Sequence, residues 1–197
     1  MPDGLVFVSS ASTPNVELYD PIANTFQTIP HTPSHLYGFI VRLRDGRVMT
    51  GGGDGGNRVV DLFDPATGKL STTGQLNTGR AMLTAHTLPD GRAIVIGGTN
   101  VSAGGVNAPQ KTMESWSPTT GVWTMSPVQL TTPRSWHASA LVRDGTILVM
   151  GGYSVTGSCT PTASVEEVDP VAGMVAPFPA LLNPNTEWGP QPCSTAP

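Results

Sequence analysis

The sequence predicts an all-β protein built from repeated four-stranded units. The prediction rests on one pattern that occurs three times: an apolar stretch, an Asp-Gly turn, a second apolar stretch and a pair of glycines. The turns lie at Asp45-Gly46, Asp90-Gly91 and Asp144-Gly145, a period of roughly 50 residues that is typical of repeat folds. Composition agrees, because 23 Gly, 19 Pro and a charged fraction of 12%, against roughly 25% in typical soluble domains, favour short strands and turns over helices.

The first unit begins halfway through the pattern, since residues 1–8 match residues 89–96. It is therefore expected to lack its innermost strand. Each of the next three units offers four strand candidates, marked by alternating apolar residues, β-branched residues and flanking turn residues. In chain order the predicted strands are 5–8, 16–19 and 25–29 in the first unit, 36–43, 46–51, 58–63 and 69–73 in the second, 81–88, 92–97, 111–116 and 121–125 in the third, and 136–142, 146–151, 164–168 and 173–177 in the fourth.

Two apolar residues seven positions apart mark the third and fourth strands of every unit. Because an Asp-Pro or Ser-Pro turn lies between them, both residues of a pair are predicted to pack in one layer against the neighbouring unit. Proline fixes φ at the corner of that turn, and Gly68, Gly121 or Gly173 can accept a positive φ at its end. The pairs are Tyr19 with Phe26, Phe63 with Leu70, Trp116 with Trp123, and Val168 with Val175.

Four strands per unit, this period and the glycine pair after the second strand resemble the kelch repeat of β-propellers. Trp116 and Trp123 have the spacing of the Tyr and Trp of a kelch unit, whereas Leu70, Val168 and Val175 depart from it. The resemblance covers residues 4 to about 177. Within the kelch proteins, the chain is most similar to the propellers of galactose oxidase and glyoxal oxidase. Arg80, Arg134 and the Asp90-Gly91-Arg92 turn carry that likeness.

The resemblance implies a β-propeller, a ring that closes with six or seven blades in this family. Residues 1–177 are predicted to form about three and a half blades of such a larger ring. Residues 178–197 are predicted to be an irregular tail, because six prolines lie between 177 and 197 and withhold the donors that a strand needs. The alternative is a closed four-bladed ring in which the tail completes the first blade.

Binding is predicted on the face that carries the longer loops, 98–111, 126–133 and 152–163, although these are alternatively tolerated insertions. The first strand of each unit starts from that face and lines the ring axis. For the arginines at the start of these strands, the alternative to ligand binding is a guanidinium that links neighbouring blades. For the aromatic residues the alternative is core filling, while His137 resembles the histidine of kelch blade interiors and His86 is expected to be packed. The candidate ligand-binding residues are His35, Tyr37, Arg80, Arg134, Trp136 and His137.

The resemblance to galactose oxidase and glyoxal oxidase also implies a test for a copper radical site. Those enzymes use a tyrosine cross-linked to a cysteine, a second tyrosine and two histidines. Carried over to this chain, the cysteine falls on Tyr37 and the cross-linked tyrosine on Met82, with Trp136 at the equivalent place one unit later. Neither partner is present, and nothing matches the histidine-bearing units. No catalytic residue, metal ligand or cofactor is therefore predicted, and copper belongs only to the alternative interpretation.

Charge and cysteine content bear on partners and compartment. The net charge of −4 is spread without basic blocks, which argues against nucleic acid, and no apolar run approaches the ~20 residues of a membrane helix. Cys159 and Cys193 are either two separate thiols or one loop-to-tail disulfide in an exported chain. The low charge and the sequon Asn100-Val101-Ser102 favour export, but the first residues lack the features of a signal peptide. The compartment stays open.

The sequence favours a non-catalytic kelch-type propeller segment that binds a protein or a carbohydrate through its long-loop face. An alternative is an oxidase-like propeller that is truncated or lacks its Cys-Tyr cofactor. A third is a purely structural unit of a longer secreted or surface protein. Incomplete blades leave strand edges and apolar faces uncovered, so self-association is also predicted.

Overall fold

The structure of the protein is a computed structural model, and it describes residues 4–9, 15–30, 35–53, 56–101, 107–154 and 161–183. These residues form 17 β-strands and no α-helix, which confirms the all-β prediction. Within these ranges no helix is long and apolar enough to cross a membrane. Cys159 and Cys193, the two cysteines for which a disulfide was considered, lie outside the described residues.

The strands form four main antiparallel sheets that follow one another along the chain. The first sheet has three strands, as predicted, and the other three have four strands each. The first sheet contains β1 (Val6–Ser9), β2 (Val16–Asp20) and β3 (Thr25–Ile29), and the second contains β4 (Phe39–Arg42), β5 (Val48–Gly51), β6 (Val60–Asp64) and β7 (Lys69–Thr72). The third contains β8 (Thr84–Thr87), β9 (Ala93–Ile96), β12 (Met113–Trp116) and β13 (Trp123–Met125), and the fourth contains β14 (Ala138–Leu141), β15 (Ile147–Met150), β16 (Val165–Asp169) and β17 (Met174–Phe178).

The first strands of the last three sheets begin later than the sequence predicts, at Phe39, Thr84 and Ala138 instead of 36, 81 and 136. The cause is local backbone geometry. In each case a residue with positive φ precedes the strand, and that conformation interrupts the extended ladder.

A small hairpin of β10 (Thr99–Val101) and β11 (Asn107–Pro109) extends from the third sheet inside the segment predicted as a loop. The sequence analysis missed it because its strands are three residues long and rich in asparagine and proline. Asn100 of the glycosylation sequon lies in β10, where its side-chain oxygen accepts a hydrogen bond from Gln110 at 3.1 Å. Ser102 of the same sequon lies outside the described residues.

The register predicted from the paired apolar residues is confirmed. All four pairs are direct cross-strand partners in the third and fourth strands of their units. The turns between them end on Gly68, Gly121 and Gly173, whose φ angles are 66°, 70° and 68°. In the first unit Asn24 takes this place with φ 54°, since asparagine is one of the few other residues that tolerate the left-handed region.

The hydrophobic core lies between consecutive sheets. One cluster joins the first sheet to the second, and Phe7 and Phe63 meet there with ring centroids 5.4 Å apart. The largest cluster lies between the second and third sheets and contains both Trp116 and Trp123, as the sequence predicts. Phe39 meets Trp123 there edge to face, with ring centroids 6.0 Å apart. The last cluster lies between the third and fourth sheets.

The fourth sheet extends one residue into the segment predicted as the tail, because β17 ends at Phe178. Pro177 is tolerated there, since β17 is the edge strand of its sheet. Slightly further on, the N–H of Leu181 donates a hydrogen bond to the carbonyl of Ala163 at 2.9 Å. Residues 184–197 lie outside the described ranges.

Candidate functional site

Tyr37, Met82 and Trp136 hold equivalent positions just before the first strands of the second, third and fourth sheets. Their φ angles are 58°, 56° and 53°, in the left-handed region that residues with large side chains rarely adopt. Backbone hydrogen bonds stabilise this conformation: the N–H of Met82 donates to the carbonyl of Tyr37 at 2.7 Å, and the N–H of Trp136 donates to that of Met82 at 3.1 Å. A line of hydrogen bonds therefore connects three blades at these residues.

These three side chains line a cavity of about 700 Å³. Tyr37 is 47% exposed, while Met82 and Trp136 are half-buried. The rings of Tyr37 and Trp136 meet edge to face with centroids 5.5 Å apart, although their sheets are separated by the third one. Other parts of the wall come from the first strands of the last three sheets, with Ile40 of β4, His86 of β8 and Ser139 of β14, and from Ser9 of β1 in the first sheet.

Arg80 lies two residues before Met82 and does not line the cavity. Its side chain has no exposed surface, and its guanidinium donates to the carbonyls of Gly97 (3.1 Å) and Thr112 (2.9 Å) and to the carboxylate of Glu114 (2.8 Å). All three acceptors belong to the third sheet, whose first strand follows Arg80. The guanidinium therefore links strands at the end of a single blade. Arg134 is equally buried and makes the equivalent hydrogen bonds to Gly151, Ser164 and Glu166.

The link between neighbouring blades that the sequence suggested for the arginine side chains comes instead from their backbone. The carbonyl of Arg80 accepts a hydrogen bond from the N–H of Gly53, and that of Arg134 accepts one from Gly98. A Cβ atom at Gly97 would lie only 2.6 Å from the carbonyl oxygen of Arg134. The glycine pairs are therefore required because the backbone of the next blade passes so close to them.

Glu114 and Glu166 also hold the connections that lead from the preceding blade into their own. Glu166 accepts hydrogen bonds from the N–H groups of Thr131 at 2.6 Å and Thr132 at 3.1 Å, as well as from Arg134. Burial raises the pKa of Glu166, but these hydrogen bonds outweigh it and leave the pKa below its usual value. Residues 126–133, one of the loops predicted to lie on the binding face, are thus held by a buried carboxylate.

His35 replaces the arginine in the second sheet. It is 7% exposed, with Nδ1 2.9 Å from the carbonyl oxygen of Gly52 and Nε2 3.0 Å from the carboxylate of Asp61. Asp61 lies at the position that Glu114 and Glu166 occupy in their sheets. The second sheet therefore pairs aspartate with histidine where the other two sheets pair glutamate with arginine, and both of its side chains are shorter. Part of His35 also lines the cavity.

His137 lies in the blade interior, where its resemblance to the kelch histidine places it. It is 1% exposed, and its Nε2 lies 3.0 Å from the hydroxyl of Thr84. Burial, with the nearby charges of Arg134 and His86, lowers its pKa to about 3. The imidazole is therefore neutral at physiological pH. It does not line the cavity but contacts Thr84, which does.

His86 and Ser139 are site residues that the sequence analysis missed. Both line the cavity, and the Nε2 of His86 lies 2.6 Å from the Ser139 hydroxyl. His86 was expected to be packed, but it is only half-buried, and burial lowers its pKa. The alternation of β8, which places Thr84 and His86 on one face, was the signal that could have identified it.

The residues at the axis do not fit a copper radical site. Tyr37 and Met82 are direct neighbours, but they present a phenol and a thioether where the oxidase pattern requires a cysteine and a tyrosine. Among the described residues, no three His, Cys, Asp or Glu side chains are grouped so that they could hold a metal ion.

Comparison with known proteins gives the fold. No protein-family model matches the chain, and no curated protein matches it in sequence. Among solved structures it is similar to that of YjhT, a kelch-like β-propeller, with a TM-score of 0.71 and 15% identity over 94% of this chain and 65% of that one. A fungal alcohol oxidase of the AA5 family, in complex with copper, gives a TM-score of 0.48 and 14% identity over 91% of this chain and 63% of the oxidase.

The chain thus spans slightly less than two thirds of the length of either protein. At such low identity the similarity to YjhT bears on the fold alone. Sequential antiparallel sheets, a core between them and first strands around one cavity are the features that a propeller requires. The chain has the fold of a kelch-type β-propeller.

Proposed function

We propose that the chain is a non-catalytic, ligand-binding propeller segment whose axial cavity binds a carbohydrate. The observation that carries the proposal is the left-handed backbone of Tyr37, Met82 and Trp136. A residue with a side chain pays about 1–2 kcal/mol in this region, and glycine avoids the cost. Large side chains at three strained positions around one cavity are what a binding site would need, since folding alone favours glycine there.

The chemistry of the wall supports a carbohydrate. Tyr37 and Trp136 offer aromatic surface on which the C–H face of a sugar ring can pack, while Ser139 and His86 offer polar groups beside it. A cavity of about 700 Å³ lies within the range of roughly 300–1,000 Å³ that small-ligand sites occupy. A protein ligand remains the alternative form of this proposal, and it would have to insert a loop at the axis.

The test is binding of a panel of mono- and oligosaccharides to the Tyr37→Gly variant, measured by calorimetry. We expect affinity to fall at least tenfold, because the exposed ring is lost. The free energy of unfolding should change by less than about 1 kcal/mol, because relief of the left-handed strain offsets the greater freedom of glycine in the unfolded chain. Phe26→Ala is the matched control, since Phe26 is 63% exposed on β3 and does not line the cavity.

Unchanged sugar affinity in Tyr37→Gly would show that the cavity is not the binding site. If no sugar binds but a protein ligand is found whose affinity depends on Tyr37, the protein alternative replaces the carbohydrate. The oxidase alternative has its own measurement. Stoichiometric copper, together with release of peroxide from an alcohol or an aldehyde, would overturn the non-catalytic proposal.

A further inference from the structure

Several charged side chains near the starts of the innermost strands are paired in the ends of their own blades. Arg80 contacts Glu114 at 2.8 Å, and both side chains are 0% exposed. Arg134 contacts Glu166 at 2.6 Å, with side chains 0% and 3% exposed. Asp61 is likewise buried against His35. None of these carboxylates or guanidinium groups is directed to a ligand in the cavity, because each is already held in the end of its own blade.

The described residues of the wall present no unpaired charge, because His35 is held by the Gly52 carbonyl and the Asp61 carboxylate. Among the described residues that line the cavity there is no Asp, Glu, Lys or Arg. The pKa of His86 is lowered by burial, so its imidazole is predominantly neutral at pH 7. What the wall does offer is hydroxyl groups. Those of Ser9, Tyr37, Thr50, Thr84 and Ser139 belong to lining residues.

Two of these hydroxyls have informative surroundings. Ser139 is fixed by its 2.6 Å hydrogen bond to His86, and a hydroxyl can still donate or accept a second bond. Thr50 is 1% exposed, and its hydroxyl oxygen has no hydrogen-bond partner among the described residues. The equivalent positions in the third and fourth sheets are Val95 and Val149, so this polar atom is not needed by the fold. The Thr50 oxygen is itself buried, so a ligand can reach it only if the wall rearranges, whereas Ser139 is partly exposed.

We propose that the axial cavity selects uncharged saccharides and rejects sugars that carry a carboxylate. The inference rests on the carbohydrate proposal above and narrows it to one class of ligand. Sugar hydroxyls both donate and accept hydrogen bonds, which matches the hydroxyls of the wall. A carboxylate would lose part of its water shell beside described wall residues that include no Lys or Arg, and burial of an unpaired charge is strongly unfavourable.

The experiment compares matched sugars at pH 7, namely glucose with glucuronate and galactose with galacturonate, by calorimetry at constant ionic strength. We expect at least one neutral sugar to bind at least tenfold more tightly than its uronate. The Met82→Lys variant then places an ammonium group in the cavity wall, and Met82→Gln is the uncharged control. Both replacements are unbranched, so neither adds strain at φ 56°. The ratio of uronate to neutral affinity should rise at least tenfold in the lysine variant and stay within threefold in the glutamine variant.

Equal or tighter binding of the uronate by the unmodified chain would overturn the selectivity while leaving carbohydrate binding intact. An unchanged ratio in Met82→Lys, with neutral sugars still bound, would overturn it too, because the sugar would then lie away from the axis. If neither member of either pair binds, the selectivity proposed here fails. The carbohydrate proposal itself fails only if the wider panel of mono- and oligosaccharides also shows no binding.

Discussion

Two layers at the start of the innermost strands lie two residues apart in the chain and behave in opposite ways. The supporting layer contains His35, Arg80 and Arg134, each buried and each bound to a glycine carbonyl and a carboxylate. The cavity layer contains Tyr37, Met82 and Trp136, which share only their backbone conformation. The supporting layer repeats the same side-chain hydrogen bonds in each blade, whereas the cavity layer repeats only a backbone conformation. The fold therefore depends on the supporting layer, while the side chains of the cavity layer are not tied to that role.

The largest effect should come from breaking the supporting layer. Arg80→Met leaves the Glu114 carboxylate buried without its cation, and we expect a loss near the upper end of the 3–5 kcal/mol typical of a broken buried ion pair. Urea unfolding followed by tryptophan fluorescence measures this loss. Adding Glu114→Gln removes the buried charge and should recover part of the lost stability. A loss below about 1 kcal/mol, as expected for an exposed pair, would remove the distinction between the two layers.

The next effect concerns the core packing between the second and third sheets, which the supporting layer borders. Trp123→Ala should cost about 3–5 kcal/mol, towards the lower end, because Trp123 is 3% exposed but its indole N–H has no hydrogen-bond partner among the described residues. Trp123→Phe is the matched control and should cost less than about 1.5 kcal/mol. An unchanged denaturation midpoint in Trp123→Ala would mean that the layer between the second and third sheets contributes little.

A related contrast separates the features that the sequence could predict from those that it could not. Features that follow from local spacing in the sequence were found: the register of Trp116 with Trp123 follows from a constant spacing, and the φ angles of Gly68 and its equivalents follow from the turn. Features that occur once were missed, among them the hairpin of β10 and β11 and the hydrogen bond of His86 to Ser139. That bond joins two blades, so it depends on how neighbouring sheets are placed, which no local pattern encodes.

The smallest predicted effect, over the range from pH 7 to pH 5 in which it is measured, concerns His137, which lies between the two layers. His137 follows Trp136 in the chain, and the charge of Arg134 contributes to its lowered pKa. Its pKa is about 3 in the folded protein and near the ordinary value of about 6.5 in the unfolded chain. Above pH 6.5 the imidazole is neutral in both states and has no effect on stability. Below pH 6.5 only the unfolded chain takes up the proton, so stability should fall by roughly 1 kcal/mol per pH unit as the pH drops towards 3.

The measurement is the free energy of unfolding between pH 7 and pH 5, above the range in which most carboxylates titrate. His137→Gln cannot gain this proton, so its stability should vary less with pH than that of the unmodified chain, even if the variant is less stable throughout. Equal slopes in the two proteins would mean that His137 is accessible to protons in the folded state. The boundary between the supporting layer and the cavity would then be open to water, and the two layers could not be treated as separate.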